Sequence, residues 1–128
     1  MTDFGSAGED GDDSGNLVWL SEARRARNDL PVTFDRRELN QILRLYGQMV
    51  AAGEWRDYAI DHLKDRAVFS VFRRTSEVPL FQIVKNPKLA RKQGAYSVIA
   101  ASGLILKRGH ELGRVLAVFD RTLKLVRA

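Results

Sequence analysis

The chain of 128 residues has no cysteine and only two histidines. The absence of cysteine excludes disulfide bonds, thiolate catalysis, iron–sulfur clusters and zinc sites that use cysteine ligands. The histidines could form a metal site only with aspartates such as Asp57, Asp61 and Asp65, and that spacing of four residues is more typical of a solvated face. We therefore expect no metal and no cofactor.

Sequence motifs of catalysis are also missing. No serine or threonine lies in a nucleophile motif, and Gly103 and Gly109 lack the Gly-Lys-Ser/Thr ending of a phosphate loop. His62 follows Asp61, which suggests a general base oriented by a carboxylate, but neighbouring residues of a strand point to opposite faces. We expect no catalytic residue, and the sequence leaves open whether the protein is an enzyme.

Long apolar runs are absent as well. No segment approaches the roughly 20 apolar residues that a membrane-spanning helix requires. The first residues are acidic rather than basic and apolar, unlike a secretion signal. These features predict a cytoplasmic protein with no membrane partner. A length of 128 residues suits one domain with an ordinary core.

Positive charge dominates the chain beyond its first residues. Residues 1–15 hold five of the sixteen acidic residues and no cation, so residues 16–128 carry twenty-one basic and eleven acidic groups, a net charge of +10. We interpret residues 1–15, which are rich in Gly, Asp and Ser, as a disordered acidic tail. Residues 16–128 are predicted to form a single compact basic domain, with Trp19 docked on its core.

The clearest local pattern predicts a helix that begins after Asp35. Asp35 can cap the first turn, and Glu38 three residues later completes a capping box. Gly53 is placed to end the helix with a positive φ angle. The apolar residues follow the i, i+3, i+4 spacing of one helical face. This face is predicted to comprise Leu39, Ile42, Leu43, Tyr46, Met49 and Val50.

Alternating and Val/Phe-rich segments predict an antiparallel sheet of about five strands. The strands are expected within residues 55–63, 67–74, 80–84, 96–101 and 104–106. The first of these segments also fits a helix, because aspartates recur there every four residues. A second amphipathic helix is predicted after Gly109, although residues 121–126 also fit a strand. The order of elements predicts an α+β fold in which an N-terminal and a C-terminal amphipathic helix pack on the sheet.

Four segments of the chain together form a recognisable pattern. They run Phe-Asp-Arg-Arg-Glu-Leu-Asn-Gln-Ile-Leu-Arg-Leu-Tyr from residue 34, Trp-Arg-Asp-Tyr from residue 55, Ala-Val-Phe-Ser-Val-Phe-Arg-Arg from residue 67 and Gly-Leu-Ile-Leu-Lys-Arg-Gly-His from residue 103. This pattern resembles a small bacterial family of proteins of unknown function, over residues 31–126. The resemblance implies a cytoplasmic bacterial protein and supplies no activity, cofactor or catalytic residue.

Basic residues cluster in the second half of the chain. Residues 85–94 contain four cations and no acid, and residues 107–110 hold a second cluster in a predicted loop before the last helix. A further pair of arginines ends the second predicted strand. Cations without acidic neighbours form a field that attracts anions, above all phosphate groups. The candidate anion-binding residues are Lys85, Lys88, Arg91, Lys92, Arg73, Arg74, Lys107, Arg108 and His110.

Three functions fit this basic surface, and the sequence leaves all three open. The first is a non-enzymatic interaction module that binds an acidic protein partner. The second is a domain that binds RNA or single-stranded DNA, with Phe69 and Phe72 stacking on bases beside the basic loops. The third is a sensor or small enzyme that binds a phosphorylated ligand around Arg108 and His110, at the start of the last helix.

Overall fold

The chain divides into two compact units, Met1–Leu30 and Pro31–Ala128. The structure is a computed structural model that describes residue 20, residues 30–74 and residues 78–127. The predicted acidic tail, the docking of Trp19 and the domain start at residue 16 lie outside the described residues and stay predictions. The second unit contains the sheet and the helices that pack on it.

Helix α1 spans Arg36–Ala51 and begins as its capping pattern predicts. The Asp35 carboxylate accepts a hydrogen bond of 2.8 Å from the Glu38 amide, and the Glu38 carboxylate accepts one of 2.7 Å from the Asp35 amide. This reciprocal pair satisfies two amides that the first turn leaves without intrahelical partners. Gly53 follows the helix with a φ of 77°, so the predicted helix end is also confirmed.

The buried face of α1 lies slightly to one side of the predicted face. Ile42, Leu45 and Met49 are buried, whereas Val50 is 41% exposed. The prediction omits Leu45 and wrongly includes Val50. Two neighbouring apolar lines run along this helix, and periodicity alone does not show which of them faces the sheet.

The described residues contain a sheet of five strands, each paired antiparallel with the next along the chain. The predicted α+β class and the five-stranded antiparallel sheet are therefore confirmed, and the segment 55–63 is a strand rather than a helix. The strands are β1 (Asp57–His62), β2 (Ala67–Phe72), β3 (Phe81–Lys85), β4 (Tyr96–Ala100) and β5 (Ile105–Gly109).

The register of the strands defines two ends of the sheet. One row joins His62, Ala67, Lys85, Tyr96 and Gly109, and we call it the upper end. The opposite end, called the lower end, is where β2 stops and β3 begins. Strands of five or six residues place the two ends about 15–20 Å apart. Residues at different ends therefore cannot contact the same small ligand.

Helices that precede and follow the strands in the chain pack on the same face of the sheet. The ring of Tyr46 from α1 lies 6.2 Å from that of Phe69 on β2, and the ring of Phe119 lies 5.1 Å from that of Phe81 on β3. Phe69 pairs with Ile83, two residues from Phe81, so Phe69 and Phe81 point to the same face. We call this the helix-covered face, and the hydrophobic core lies beneath it.

The C-terminal helical segment is divided rather than continuous. Helix α2 spans Leu112–Leu116, a 3₁₀ turn follows at Ala117–Phe119, and helix α3 spans Asp120–Arg127. The prediction of one continuous helix is therefore wrong. The 3₁₀ turn has three residues per turn, so it brings Leu116 and Phe119 onto one line above the core. Residues 121–126 are helical. In the described part of the chain no helix is long and apolar enough to cross a membrane.

Strand β5 continues further than predicted, and this places Lys107 and Arg108 in the sheet. Arg108 pairs with Ser97 and Lys107 pairs with Val98. Their prediction as loop residues is wrong, because pairing with β4 resumes after a bulge in the register next to Val98. As neighbours in a strand they point to opposite faces, and Lys107 lies on the side of the helix-covered face.

We predict that Asp35→Ala lowers the free energy of unfolding by about 0.5–2 kcal/mol, because the Glu38 amide loses its capping acceptor. Urea denaturation followed by circular dichroism measures the change. Asp61→Ala serves as the control, since Asp61 is an exposed acid on β1, and its effect is expected to stay within about 0.5 kcal/mol. Equal midpoints for the two variants would contradict the role of the cap.

Candidate anion-binding end of the sheet

The structure separates the nine predicted anion-binding residues into two groups. Arg73 and Arg74 follow β2 and lie at the lower end of the sheet. The others lie at the upper end, at the last residue of β3, on the loop between β3 and β4, or around the end of β5. This upper group comprises Lys85, Lys88, Arg91, Lys92, Lys107, Arg108 and His110. A single compact site can therefore draw on the upper group but not on the two arginines.

The loop between β3 and β4 is a compact turn held by its own backbone. The Asn86 side chain accepts a hydrogen bond of 3.2 Å from the Lys88 amide, at the start of a 3₁₀ turn over Pro87–Leu89. The Leu89 carbonyl then accepts bonds from the amides of Lys92 and Gly94, at 3.0 and 2.8 Å. The loop therefore contains a short helical turn. Its three cations, Lys88, Arg91 and Lys92, are all exposed.

A contact between two glycines holds this loop against the end of β5. Gly94 is buried and has a φ of 105°, and a Cβ atom added to it would overlap the carbonyl group of Gly109. Only glycine allows both the backbone angle and the close approach. The loop and the end of β5 are therefore fixed relative to each other, and this fixes the two basic segments that they carry.

Gln93 and Arg108 join the same two segments through their side chains. The Arg108 Nη1 atom donates a hydrogen bond to the Gln93 side-chain oxygen. The Nε atom of Arg108 is buried and has no hydrogen-bond partner among the described residues. A guanidinium group carries five N–H donors, so Arg108 retains donors for a further acceptor. The hydrogen bond to Gln93 does not neutralise the charge of Arg108.

Lys85 differs from the other upper cations because it has an acidic partner. Its Nζ atom lies 2.7 Å from the Glu38 carboxylate and also donates a bond of 2.9 Å to the Thr33 carbonyl. The expectation that these cations form a field without ion pairs is therefore wrong for Lys85. The acid comes from α1, 47 residues earlier in the chain, so no local pattern around Lys85 could have revealed it.

Tyr96 completes a buried polar cluster with Glu38 and Lys85. The Tyr96 hydroxyl donates a hydrogen bond to the second oxygen of the Glu38 carboxylate. Burial, and then the hydrogen bond to Glu38, raise the pKa of Tyr96 above its ordinary value of 10.0. Glu38 is only 7% exposed. Its carboxylate accepts hydrogen bonds from donors at the start of α1, on β3 and on β4. This cluster is structural, and it removes Lys85 from the candidate site.

The residues at the lower end also differ from the sequence-based hypothesis. Arg73 lies 3.4 Å from Glu54, so an acid partly neutralises it. Phe69 is fully buried in the core and stacks on Tyr58 with ring centroids 4.9 Å apart. It is therefore not free to stack on a nucleic-acid base. Phe72 is half-buried and pairs with Asp57 at the lower end, away from the upper cations.

The two histidines do not assemble a catalytic or metal site in the part of the chain that is described. His62 and Asp61 occupy neighbouring positions in β1, so their side chains point to opposite faces. His110 is followed by Glu111, which occupies the N-cap position before α2 without a side-chain capping bond and pairs with Arg114 at 3.1 Å. No group of three His, Cys, Asp or Glu side chains within the described residues could hold a metal ion.

A comparison with known protein families gives a match. A family model described as "Protein of unknown function (DUF2794)" matches residues 32–116. Comparisons with curated proteins and with solved structures give no match. The matched segment contains α1, the whole sheet and α2. It therefore includes both the buried cluster around Glu38 and the upper cations.

We predict that Tyr96→Phe lowers the free energy of unfolding by about 1–3 kcal/mol, because Glu38 loses a hydrogen bond in a buried position. The hydroxyl ionises less readily in the folded chain than in the unfolded chain, so its contribution is complete below pH 10.0 and is lost as the pH rises through the raised folded-state pKa. Urea denaturation of the native protein and of the Tyr96→Phe variant, at pH values below and above 10.0, measures the effect. A stability difference that persists unchanged well above pH 10.0 would contradict it.

We predict that Gly94→Ala destabilises the protein by about 3–5 kcal/mol, because strain at a positive φ adds to overlap with the Gly109 backbone. Gly103→Ala is a matched control: Gly103 also has a positive φ, of 91°, but nothing lies near its missing Cβ. The control is expected to cost about 1–2 kcal/mol. Thermal and urea unfolding compare the two, and similar losses would mean that the glycine contact does not hold the loop.

Proposed function

Because the chain belongs to the DUF2794 family of proteins of unknown function, we propose its function from the upper end of the sheet. The protein is a non-enzymatic interaction module that binds an acidic protein partner. Its binding surface, the basic end, comprises Lys88, Arg91 and Lys92 of the loop together with Lys107 and Arg108 of β5. Lys85 is excluded, because Glu38 neutralises its charge.

One observation carries this proposal: the backbone of the basic end is held in place, and no acidic partner of its cations lies among the described residues. Within the described residues, none of its five cations forms an ion pair. The Gly94–Gly109 contact and the Gln93–Arg108 hydrogen bond hold the loop against β5. Because the backbone that carries these cations is already positioned, little backbone freedom is lost on binding, and more of the attraction is available to an acidic partner.

The geometry favours an acidic protein over a single-stranded nucleic acid. Proteins that bind single strands combine cations with aromatic side chains on which successive bases stack. Here Phe69 lies in the core and Phe72 lies near the lower end, so neither of these two rings accompanies the basic end. Five cations on two short segments also provide a small footprint for a phosphate backbone.

A phosphorylated ligand at the start of the last helix is disfavoured for a different reason. Helix α2 has only five residues, so its amides contribute little helix dipole. Glu111, an acid, occupies the N-cap position in front of this helix. An anion at this point would meet like charge. The cations of the basic end are therefore better placed for a partner that approaches the loop and β5.

We predict that Arg91→Glu combined with Lys92→Glu weakens binding of a fluorescently labelled polyglutamate peptide by about tenfold or more. Fluorescence anisotropy measures the affinity. Arg73→Glu combined with Arg74→Glu is the matched control, because it reverses the same number of adjacent exposed cations at the lower end. The control is expected to change the affinity much less, and binding of native protein should weaken as salt is added.

Two outcomes would contradict the proposed function. Equal losses from both charge-reversed pairs would mean that net charge, rather than the basic end, attracts the peptide. Tighter binding of an oligothymidylate with the same number of charges would favour a nucleic-acid partner instead. Circular dichroism of each variant checks that the fold is retained.

A further inference from the structure

Strand β5 forms one edge of the sheet and carries an apolar surface. Leu104, Ile105 and Leu106 are 64%, 42% and 37% exposed. Along the described residues β5 pairs only with β4, so its outer side has no neighbouring strand. An edge with exposed apolar residues and free backbone groups is a template for pairing with another extended segment.

The hydrogen-bond pattern identifies which backbone groups of β5 point outward. The Asn86 amide bonds to the Ala95 carbonyl, and the Ala100 amide bonds to the Leu104 carbonyl. Because antiparallel pairs alternate between bonded and non-bonded, Tyr96 and Val98 direct their groups to Gly109 and Lys107. The N–H and C=O groups of Arg108, and those of Ile105, therefore face away from the sheet.

Charged residues on this edge determine which segment can pair there. Lys107 and Arg108 present positive charge on both faces of β5, and the basic loop lies beside its upper end. A second copy of β5 would bring its own cations close to these and would be repelled. The bulge next to Leu106 further hinders regular pairing with an identical strand. An acidic segment avoids the repulsion, because its charge is attracted to these cations.

We propose that the outer edge of β5 binds an extended, acidic segment of the partner as a sixth strand of the sheet. A partner residue opposite Arg108 would exchange backbone hydrogen bonds with it and lie on the same face, so a carboxylate there meets the guanidinium group. Its neighbour would lie on the face of Lys107, and apolar residues would follow beside Leu106 and Ile105. This inference rests on the proposed function, since it specifies how the acidic partner binds.

The test compares two peptides of equal length and charge with the native full-length chain. One alternates glutamate with valine, and the other alternates glutamate with proline, which has no N–H group and does not extend a sheet. Fluorescence anisotropy is expected to show that the valine peptide binds about tenfold more tightly, because only it forms backbone hydrogen bonds with the edge. Both peptides carry the same charge to the basic end.

Hydrogen exchange measured by NMR locates the bound peptide. The amides of Ile105 and Arg108 are expected to exchange about tenfold more slowly with the valine peptide bound. Ile60 and His62, on the opposite edge strand β1, are the controls and should not change. Equal affinities for the two peptides, or unchanged exchange at Ile105 and Arg108, would overturn the edge inference while leaving the proposed function intact. Binding of neither peptide would overturn both.

Discussion

The Glu38 carboxylate is the group on which the arrangement of helix and sheet depends. It caps the first turn of α1 while it contacts Lys85 at the end of β3 and Tyr96 at the start of β4. Moving a charge out of water costs several kcal/mol unless hydrogen bonds and an opposite charge replace the lost hydration. The hydrogen bonds and the opposite charge are both present only when the start of α1 lies above the upper end of the sheet. The cluster therefore favours one placement of α1, whereas apolar contacts alone tolerate small shifts of a helix.

The same cluster shapes the surface that is left for binding. Lys85 and Tyr96 contact Glu38, so the part of the upper end near α1 is used by contacts within the protein. The part of the upper end near β5 carries the exposed cations. Among the described residues, the upper cations without acidic partners then lie on one side, where the loop meets the last strand. The Gly94–Gly109 contact keeps that loop close to β5. Packing therefore determines where the unpaired positive charge lies. The basic surface contains fewer residues than the number of cations in the sequence indicates.

Features that depend on neighbouring residues were predictable, and features that depend on pairing between distant segments were not. The Asp35 cap, the Gly53 helix end and the hairpin of β1 and β2 involve short separations, and the structure confirms them. The partner of Lys85 lies 47 residues away, and the strand positions of Lys107 and Arg108 depend on a bulge against β4. Periodicity also could not decide between Leu45 and Val50, because the sheet selects the buried line. For the site, the sequence identified the basic residues, but the register decided which of them share an end.

The two edges of the sheet carry opposite charge, and this constrains how the protein can associate. Edge strand β1 has Asp57 and Asp61, whereas edge strand β5 has Lys107 and Arg108. Pairing of like edges is opposed by repulsion, which limits uncontrolled association through strands with free backbone groups. Pairing of β5 with β1 of another copy would be attractive, but the Tyr58 amide at that edge already bonds to the Asp57 carboxylate. With that amide occupied, the β1 edge offers a poorer template, which supports the proposal that an acidic strand pairs with β5.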